Sequence, residues 1–313
     1  SEIRNQKFLM SSSLLLVDAL GIAYRAFYAI TGLATADGRP TNAVYGFIKT
    51  LTQLERIWRP SHKLVVFDGG TPAERLKLLA TYKAQRPVMP PALRAQLPAI
   101  EAWLDAAAIA HVRLDGREAD DVIASAAVRA ASAGLDVLVA SSDKDLLQLV
   151  TPPTACGLQS ASPRLAAPSI AAVTPGKAAE KIGAAEVFAK LGVRPDQVVD
   201  WLALTGDSAD NIPGVPGIGA KTAAKLLQQW QSLANALDHV DAVEPEKTRR
   251  TLREQRETIA RNVGLLRLRT DIDCGVSLAD MQTRPPDAPR LLAFYDEMEF
   301  HTLAQALREP TLF

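Results

Sequence analysis

The chain has 313 residues, of which 48% are hydrophobic and 22% are charged, a composition typical of a soluble globular protein with one large or two smaller domains. Its 35 basic residues balance its 35 acidic ones, and no apolar stretch approaches the roughly 20 residues of a membrane-spanning helix, so we expect no membrane association. Two cysteines provide no disulfide framework and favour a reducing compartment, which predicts a cytoplasmic location.

Three parts are predicted along the chain. Residues 1–13 form an N-terminal tail that contains Arg4, Lys7 and Met10. Because this tail has no apolar core, it does not have the pattern of a secretory signal. Met10 is a candidate natural start. Residues 14–177 form an α/β core, and residues 178–313 form a helical region.

Short apolar runs in the core end at acidic residues. Residues 14–17 precede Asp18, residues 64–67 precede Asp68, and residues 136–140 lie shortly before Asp143. Runs of four or five Val and Leu residues are typical of strands buried on both faces. Stretches with helical periodicity lie between them, at 19–30, 42–58, 92–108 and 118–133, and a short strand is predicted at 109–114. This alternation predicts a mostly parallel central sheet flanked by helices.

Acidic residues cluster where such a sheet collects its ligands, outside the carboxyl ends of the strands. The nine carboxylates are Asp18, Asp68, Glu118, Asp120, Asp121, Asp143, Asp145, Asp207 and Asp210. So many anions cannot share one pocket without compensation, and an all-oxygen set suits Mg²⁺ or Mn²⁺. Any single aspartate here could instead be an ordinary turn or cap residue. With the nine set aside, 26 acids remain against 35 basic residues, a surplus that suits a polyanionic partner.

A basic segment at residues 71–91, between two acidic clusters, contains Arg75, Lys77, Lys83 and Arg86. Such side chains could orient phosphates and offset transition-state charge, and the neighbouring Tyr82 could stack on a base. A solvated helix face is the alternative. Within the core, residues 151–177 are predicted to form a variable loop. Beyond the core, residues 179–191 are predicted to form a helix, residues 244–264 a charged helix and residues 265–272 a strand or extended segment. A terminal helix pair is predicted at 289–307.

A glycine-rich connection follows Asp210. Gly214, Gly217 and Gly219 lie in a tight turn between two predicted helices, and the amides near Ile218 to Lys221 would face outward. Such a hairpin can hold a backbone phosphate, with Lys221 and Lys225 adding charge. A plain helix–helix turn is the alternative, whereas the spacing excludes a P-loop and a dinucleotide fingerprint. No arrangement for a covalent nucleophile appears.

These motifs together resemble the bacterial 5′-nuclease (flap endonuclease) family, in particular the N-terminal 5′→3′ exonuclease domain of DNA polymerase I. The resemblance extends from about Leu14 to Leu307. Its motifs are Asp18 after Leu16-Val17, Phe67-Asp68, Tyr82 to Arg86, Glu118 to Asp121, Asp143 to Asp145, Gly206 to Asp210, and the hairpin from Asn211 to Ala223. One difference is the alanine at 209, where the family usually has serine.

The resemblance implies a PIN-like nuclease core with a helical arch at 71–91 and a helix–three-turn–helix DNA-binding region. It implies that the nine carboxylates hold two or more Mg²⁺ or Mn²⁺ ions and that Lys83 and Arg86 act on the scissile phosphate. The implied DNA-binding residues are Arg25, Tyr82, Gly214, Gly217, Ile218, Gly219, Lys221, Thr222 and Lys225. The hairpin would also bind K⁺ through backbone carbonyls.

The implied activity is hydrolysis of phosphodiesters near 5′ ends of DNA and of primer RNA. The implied substrate is DNA with a 5′ flap, nick or single-strand/duplex junction. The enzyme would act as a nucleoid-associated monomer, with a DNA polymerase supplied in trans. Two alternatives stay open, a non-catalytic protein that binds DNA junctions and a PIN-like endoribonuclease.

Overall fold

A six-stranded sheet forms the centre of the molecule in a computed structural model that describes residues 12–151 and 168–309. The strands are β1 (Ser13–Asp18), β2 (His62–Phe67), β3 (Ala110–Arg113), β4 (Asp136–Ala140), β5 (Ile170–Val173) and β6 (Lys181–Ile182). Their order is β3-β2-β1-β4-β5-β6, and every pair is parallel except the pair between β5 and β6. The predicted mostly parallel sheet is therefore confirmed.

Fourteen α-helices are found among the described residues. They are α1 (Ala19–Ala29), α2 (Asn42–Trp58), α3 (Ala73–Leu78), α4 (Pro91–Arg94), α5 (Leu97–Ala106), α6 (Ala119–Ser132), α7 (Ala184–Leu191), α8 (Val198–Thr205), α9 (Ala220–Trp230), α10 (Leu233–Asp238), α11 (Glu246–Glu254), α12 (Arg256–Leu266), α13 (Ala288–Glu297) and α14 (His301–Arg308). A two-stranded antiparallel ribbon, β7 (Gly206–Asp207) and β8 (Ile212–Pro213), joins α8 to the hairpin before α9. None of the described helices is long and apolar enough to cross a membrane.

Both faces of the sheet are buried, which explains its continuous apolar strands. Along β1, Leu15 and Val17 pack on one side with α1, α2 and α5, whereas Leu14 and Leu16 pack on the other side with α6. A separate apolar core holds the C-terminal helices together. Each fully buried Leu or Val contributes about 1.5–3 kcal/mol, so the central strands are fixed in register. Their carboxyl ends consequently lie side by side at one edge.

Three sequence predictions are corrected. Part of the predicted loop at 151–177 is strand β5, while residues 152–167 lie outside the described residues, as does the tail at 1–11. The predicted helix at 179–191 begins only at Ala184, because residues 181–182 pair with β5. For residues 265–272, predicted as a strand or an extended segment, the strand alternative is wrong. Helix α12 continues to Leu266, and the segment that follows bonds to side chains instead of to a neighbouring strand.

Candidate active site

Four of the predicted carboxylates line one cavity at the carboxyl ends of the parallel strands. The cavity has a volume of about 280 Å³, and Asp18, Asp68, Asp120 and Asp143 contribute to its wall. Asp18 ends β1, Asp68 follows β2, and Asp143 lies three residues beyond β4. Asp120 comes from the first turn of α6, where the helix dipole favours a negative charge. We call these four residues the first carboxylate group.

Local structure orients Asp18 towards this cavity. Asp18 is the last residue of β1 and also the N-cap of α1, where its Oδ1 accepts a hydrogen bond of 3.0 Å from the amide of Gly21. Position 21 needs glycine, because a Cβ there would lie 2.4 Å from Asp18 Oδ2. The hydroxyl of Ser141, just after β4, donates to Oδ2 at 3.1 Å. The carboxylate is thus held between two neighbouring strands.

Three more carboxylates form a second group. One oxygen each from Asp145, Asp207 and Asp210 lies within 4.8 Å of the others, and all three residues are buried. Asp145 begins a 3₁₀ turn after β4, Asp207 ends β7, and Asp210 lies in the turn of the two-stranded ribbon. The Oδ1 atom of Asp145 is buried with no hydrogen-bond partner in the described structure. A buried carboxylate oxygen without a partner is costly and fits a cation ligand.

Burial and mutual repulsion shift the acidities at both groups. Burial raises the pKa of Asp120 well above its ordinary value, and the charges of Asp143 and Asp18 raise it further. Burial and the charges of Asp143, Asp207 and Asp210 raise the pKa of Asp145 to about 8. The pKa values of Asp18 and Asp143 are raised as well, mainly by burial. Adjoining carboxylates that resist ionisation are typical of a site that gains stability from cations.

The raised pKa of Asp145 predicts a pH-dependent stability for the metal-free protein. An unfolded aspartate loses its proton near pH 3.8, whereas folded Asp145 retains it until about pH 8. Between these values the folded state binds more protons, so the free energy of unfolding falls as pH rises, at up to about 1.4 kcal/mol per pH unit for this group. Urea unfolding in EDTA, measured from about pH 5 to about pH 8, should show this decline.

Asp145→Asn should remove part of that decline, because asparagine does not titrate. Asp115→Asn, at an exposed position, is the matched control and should leave the slope unchanged. A wild-type protein whose stability rises with pH over this range would contradict the assignment.

The other two predicted acids are neutralised by an arginine. Arg75, on α3, is buried and bonds to both Glu118 and Asp121, its Nη2 lying 2.9 Å from Asp121 Oδ1. Burial alone would lower the pKa of Arg75, but the two carboxylates raise it overall, so the guanidinium stays charged. The amide of Arg269 also donates to Asp121 Oδ1 at 2.9 Å. Glu118 and Asp121 therefore bind cations of the chain itself, and a direct metal contact for them stays a prediction.

Sequence reasoning missed this role of Arg75, which it treated only as one of several basic residues. Apolar periodicity gave no signal for it, because Leu76 and Leu78 of the short helix α3 are exposed whereas Arg75 is buried. Lys144 was missed as well. It lies between Asp143 and Asp145, and its Nζ is 3.0 Å from Asp207 Oδ1, so it offsets part of the charge of the second group.

The basic segment folds over the acids. Lys83 Nζ lies 2.8 Å from Glu118 Oε1, and Arg86 Nη2 lies 2.7 Å from Asp210 Oδ1. Lys83 and Arg86 also line the cavity of the first group. Two cations are therefore placed between the two carboxylate groups, where they can meet a phosphate.

Tyr82 is placed differently from the prediction. It is 4% exposed, and its hydroxyl lies 3.0 Å from Asp210 Oδ2 and 3.2 Å from Glu118 Oε2. Burial and these carboxylates raise the pKa of Tyr82, so the phenol stays protonated and can donate. In this conformation the ring is inside the protein and is not available to stack on a base.

The backbone of the basic segment is tied to the second group. The amide of Lys83 donates to the carbonyl of Asp210 at 3.0 Å, and the side chain of Asn211 donates to the carbonyl of Thr81 at 2.7 Å. Lys83 has a φ of 57°, a left-handed conformation that is uncommon for lysine and is found at functional sites. Only residues 73–78 of the predicted helical arch are an α-helix, and the following residues form turns that place Lys83 over the acids.

The predicted phosphate-binding hairpin lies between α8 and α9. Gly217, Gly219, Lys221 and Lys225 are exposed, and Thr222 is half-buried. A cavity of about 440 Å³ is lined by residues of this hairpin, including Gly217, Thr222 and Lys225, and by the beginning of α11. The exposed glycines leave room for another backbone, and the first amides of a helix attract anions.

Three other predicted DNA-binding residues are Ile218 and Gly214, which are packed within the hairpin, and Arg25, which lies on α1. Ile218 is 4% exposed, and its amide donates to Val215, so it stabilises the turn. Gly214 packs so closely that a Cβ would lie 2.3 Å from the carbonyl oxygen of Thr205. Arg25 is exposed on α1 and lies beside Gly176, and it belongs to a different part of the sequence from the hairpin. The direct contacts of these residues with DNA stay predictions.

Comparison with known sequences finds two matching family models. The model described as "5'-3' exonuclease, N-terminal resolvase-like domain" matches residues 13–191, and "5'-3' exonuclease, C-terminal SAM fold" matches residues 193–289. The chain is 35% identical over 291 residues to a 5′-3′ exonuclease of Aquifex aeolicus (strain VF5), covering 93% of each chain. It is 36% identical over 302 residues to DNA polymerase I of Bacillus caldotenax, covering 96% of this chain and 33% of the polymerase. The chain thus spans about a third of that relative's length.

A solved structure shares the fold. A variant of the bacteriophage T5 flap endonuclease, in a pseudo-enzyme–product complex with DNA and metal ions, has a TM-score of 0.63 to this chain and is 19% identical. The likeness covers 95% of this chain and 98% of the T5 protein. At this identity the likeness shows the fold alone.

Proposed function

We propose that this chain, which belongs to the 5′-3′ exonuclease family, hydrolyses phosphodiester bonds near the 5′ ends of DNA at single-strand/duplex junctions, acting as a 5′→3′ exonuclease and flap endonuclease. The observation that carries the proposal is the juxtaposition of two carboxylate groups with Lys83 and Arg86 at one edge of the sheet. Carboxylates that hold cations, together with fixed basic side chains, suit a reaction at a phosphate.

The carboxylates fit divalent metal ions. Both groups offer only oxygen ligands, Asp145 has an oxygen without a hydrogen-bond partner, and burial raises the pKa values of several members. We infer that the first group holds catalytic Mg²⁺ or Mn²⁺ and that the second group holds a further ion. When bound, these ions would supply Lewis acidity to activate water and to stabilise the leaving oxygen.

The side chains of the protein position the substrate and compensate its charge. Lys83 and Arg86 can transfer from their carboxylate partners to the non-bridging oxygens of the scissile phosphate, where an arginine binds in bidentate fashion. Arg75 holds Glu118 and Asp121 in place behind them. Protonated Tyr82 can donate to Asp210 and so orient that carboxylate.

The hairpin before α9 would bind the duplex part of the substrate. Only a junction of defined geometry would then bring the 5′ end of the DNA to Lys83. Its exposed glycines and its lysines support backbone binding, and a K⁺ held by its carbonyls is part of this proposal. The T5 relative was solved with DNA, and other relatives are DNA polymerases, which supports a role beside a polymerase acting in trans. We propose that the protein acts at the nucleoid in the cytoplasm.

A cleavage panel tests the proposal. The full chain is incubated with a labelled 5′-flap DNA, a nicked duplex, a gapped duplex, an RNA–DNA hybrid and a structured RNA, in Mg²⁺ and in EDTA. The expected result is cleavage of the flap within a few nucleotides of the junction in Mg²⁺ and none in EDTA. Flap binding without turnover in Mg²⁺, Mn²⁺ or Co²⁺ would show a non-catalytic binding protein. Faster cleavage of the structured RNA would show an endoribonuclease.

A further inference from the structure

The segment that follows α12 is hydrogen-bonded to residues that adjoin both carboxylate groups. Its amide at Arg269 donates to Asp121 Oδ1 at 2.9 Å, beside the first group. At its beginning, the side chain of Gln148 links it to the second group. Gln148 Nε2 donates to the carbonyl of Leu266 at 3.1 Å and to the carbonyl of Asp145 at 2.9 Å, and Oε1 accepts from the amide of Leu268 at 3.1 Å.

A serine ties the other end of this segment to α6. The hydroxyl of Ser125 donates to the carbonyl of Asp121 at 2.8 Å and lies 3.2 Å from the carbonyl of Arg269, and it accepts from the amide of Ile272 at 3.0 Å. Several backbone groups of residues 266–272 are therefore hydrogen-bonded to the side chains of Gln148, Ser125 and Asp121, at or next to the predicted metal-site carboxylates. We call these residues the strap.

Helix α12 anchors the strap to the hairpin. Asn262 is completely buried, and its Nδ2 donates to the carbonyls of Ala203 at 3.0 Å and Pro213 at 2.8 Å, on either side of the ribbon that carries Asp207 and Asp210. One continuous stretch, residues 262–272, thus contacts the ribbon, the turn of Asp145 and the first turn of α6. Like charges within and between the two groups repel one another. Contacts from outside the groups are therefore needed to fix the distance between them.

We propose that the strap sets the distance between the two carboxylate groups and that Gln148 is the positioning residue that ties it to Asp145. This inference rests on the proposed metal-dependent function. Gln148 does not itself reach into the cavity of the first group. It acts through the carbonyl of Asp145 and through the strap, so its loss would change the affinity for metal rather than the chemistry at the phosphate.

The protein contains a matched control. Gln197 also donates two hydrogen bonds to backbone carbonyls, those of Leu227 and Gln231, and accepts one from a backbone amide, that of Arg194. Gln197 is 1% exposed and lies just before α8, in a turn that packs against the turn of Asp145. Its side chain bonds to the end of α9 and not to the strap or to a carboxylate residue. Substitution by methionine removes the same number of hydrogen bonds at both sites and keeps the side chain's length.

The test measures Mn²⁺ binding to the full chain without DNA, by electron paramagnetic resonance, for wild type, Gln148→Met and Gln197→Met. The expected result is a Kd for Mn²⁺ at least fivefold higher in Gln148→Met and unchanged in Gln197→Met, with a similar loss of thermal stability in both variants. In flap cleavage, Gln148→Met should need correspondingly more Mn²⁺ and should reach within about twofold of the wild-type rate at saturation.

Ser125→Ala provides a second variant, because it releases the strap from its other end, and it should weaken Mn²⁺ binding in the same direction. Equal Mn²⁺ affinity in wild type, Gln148→Met and Ser125→Ala would overturn the positioning role while leaving the proposed function intact. A wild-type protein that cleaves flaps in EDTA, or binds no Mn²⁺, would overturn both.

Discussion

Asp18→Asn combined with Asp68→Asn is expected to reduce flap cleavage in Mg²⁺ at least about a thousandfold, which corresponds to about 4 kcal/mol of transition-state stabilisation. Both residues line the cavity of the first carboxylate group and end adjacent parallel strands, so the double change removes two anionic ligands from the same wall. DNA binding in EDTA should stay within about threefold of wild type. Single-turnover cleavage and equilibrium binding measure the two quantities.

Asparagine at position 18 should not unfold the protein, since asparagine caps helices about as well as aspartate. Asp287→Asn is the matched control, because Asp287 caps α13 by accepting from the amide of Arg290 at 3.1 Å and lies outside the cavity. It should cleave at the wild-type rate. Undiminished cleavage by the double variant would refute the metal assignment.

Arg75→Met is expected to lower the free energy of unfolding by about 3–5 kcal/mol, because among the described residues it leaves buried Asp121 without an ion-pair partner and leaves Glu118 with Lys83 alone. Arg75 is 6% exposed, Glu118 is 2% exposed and Asp121 is 1% exposed, so water cannot replace the lost partner. The free energy of unfolding of Arg75→Lys should lie between those of wild type and Arg75→Met, because an ammonium keeps the charge but cannot reproduce the bidentate geometry of the guanidinium. Urea denaturation in EDTA measures the loss.

Adding Asp121→Asn to Arg75→Met should recover part of the stability, because it removes the buried carboxylate charge whose ion pair with Arg75 is lost. Arg194→Met serves as the control, since its ion pair with Asp196 is solvent-exposed and should be worth less than about 1 kcal/mol. A loss of less than about 1 kcal/mol for Arg75→Met would show that the carboxylates are solvated or protonated without it.

The strands and the site acids could be predicted because their signals are local. The apolar runs before Asp18 and Asp68 mark strands buried on both faces, and parallel pairing then brings the residues after them together. The acidic turn before the hairpin could be placed near them only through the family resemblance. No periodicity relates Asp207 to Asp145, which meet through packing between the C-terminal core and the sheet.

Other features depend on tertiary contacts that a sequence pattern does not contain. Residues 265–272 alternate like a strand, but no strand within 12–151 or 168–309 pairs with them, and Gln148 and Ser125 bond to several of their backbone groups instead. Tyr82 looks like an exposed aromatic in a basic segment. Its burial follows from the ion pairs of Arg75 and Lys83, which draw that segment onto the acids.

The last two helices, α13 and α14, bear on how the chain folds during synthesis. Leu291, Phe294 and Tyr295 pack into the core around β1 and α2, and Trp103 on α5 donates to the hydroxyl of Tyr295 at 3.1 Å. Trp103 thus bonds to a residue 192 positions later, and β1 and α2 lie still farther along the chain from these partners. A nascent chain stalled before Ala288 would leave this apolar surface uncovered, and a chaperone or the ribosome surface would have to shield it until translation passes that point.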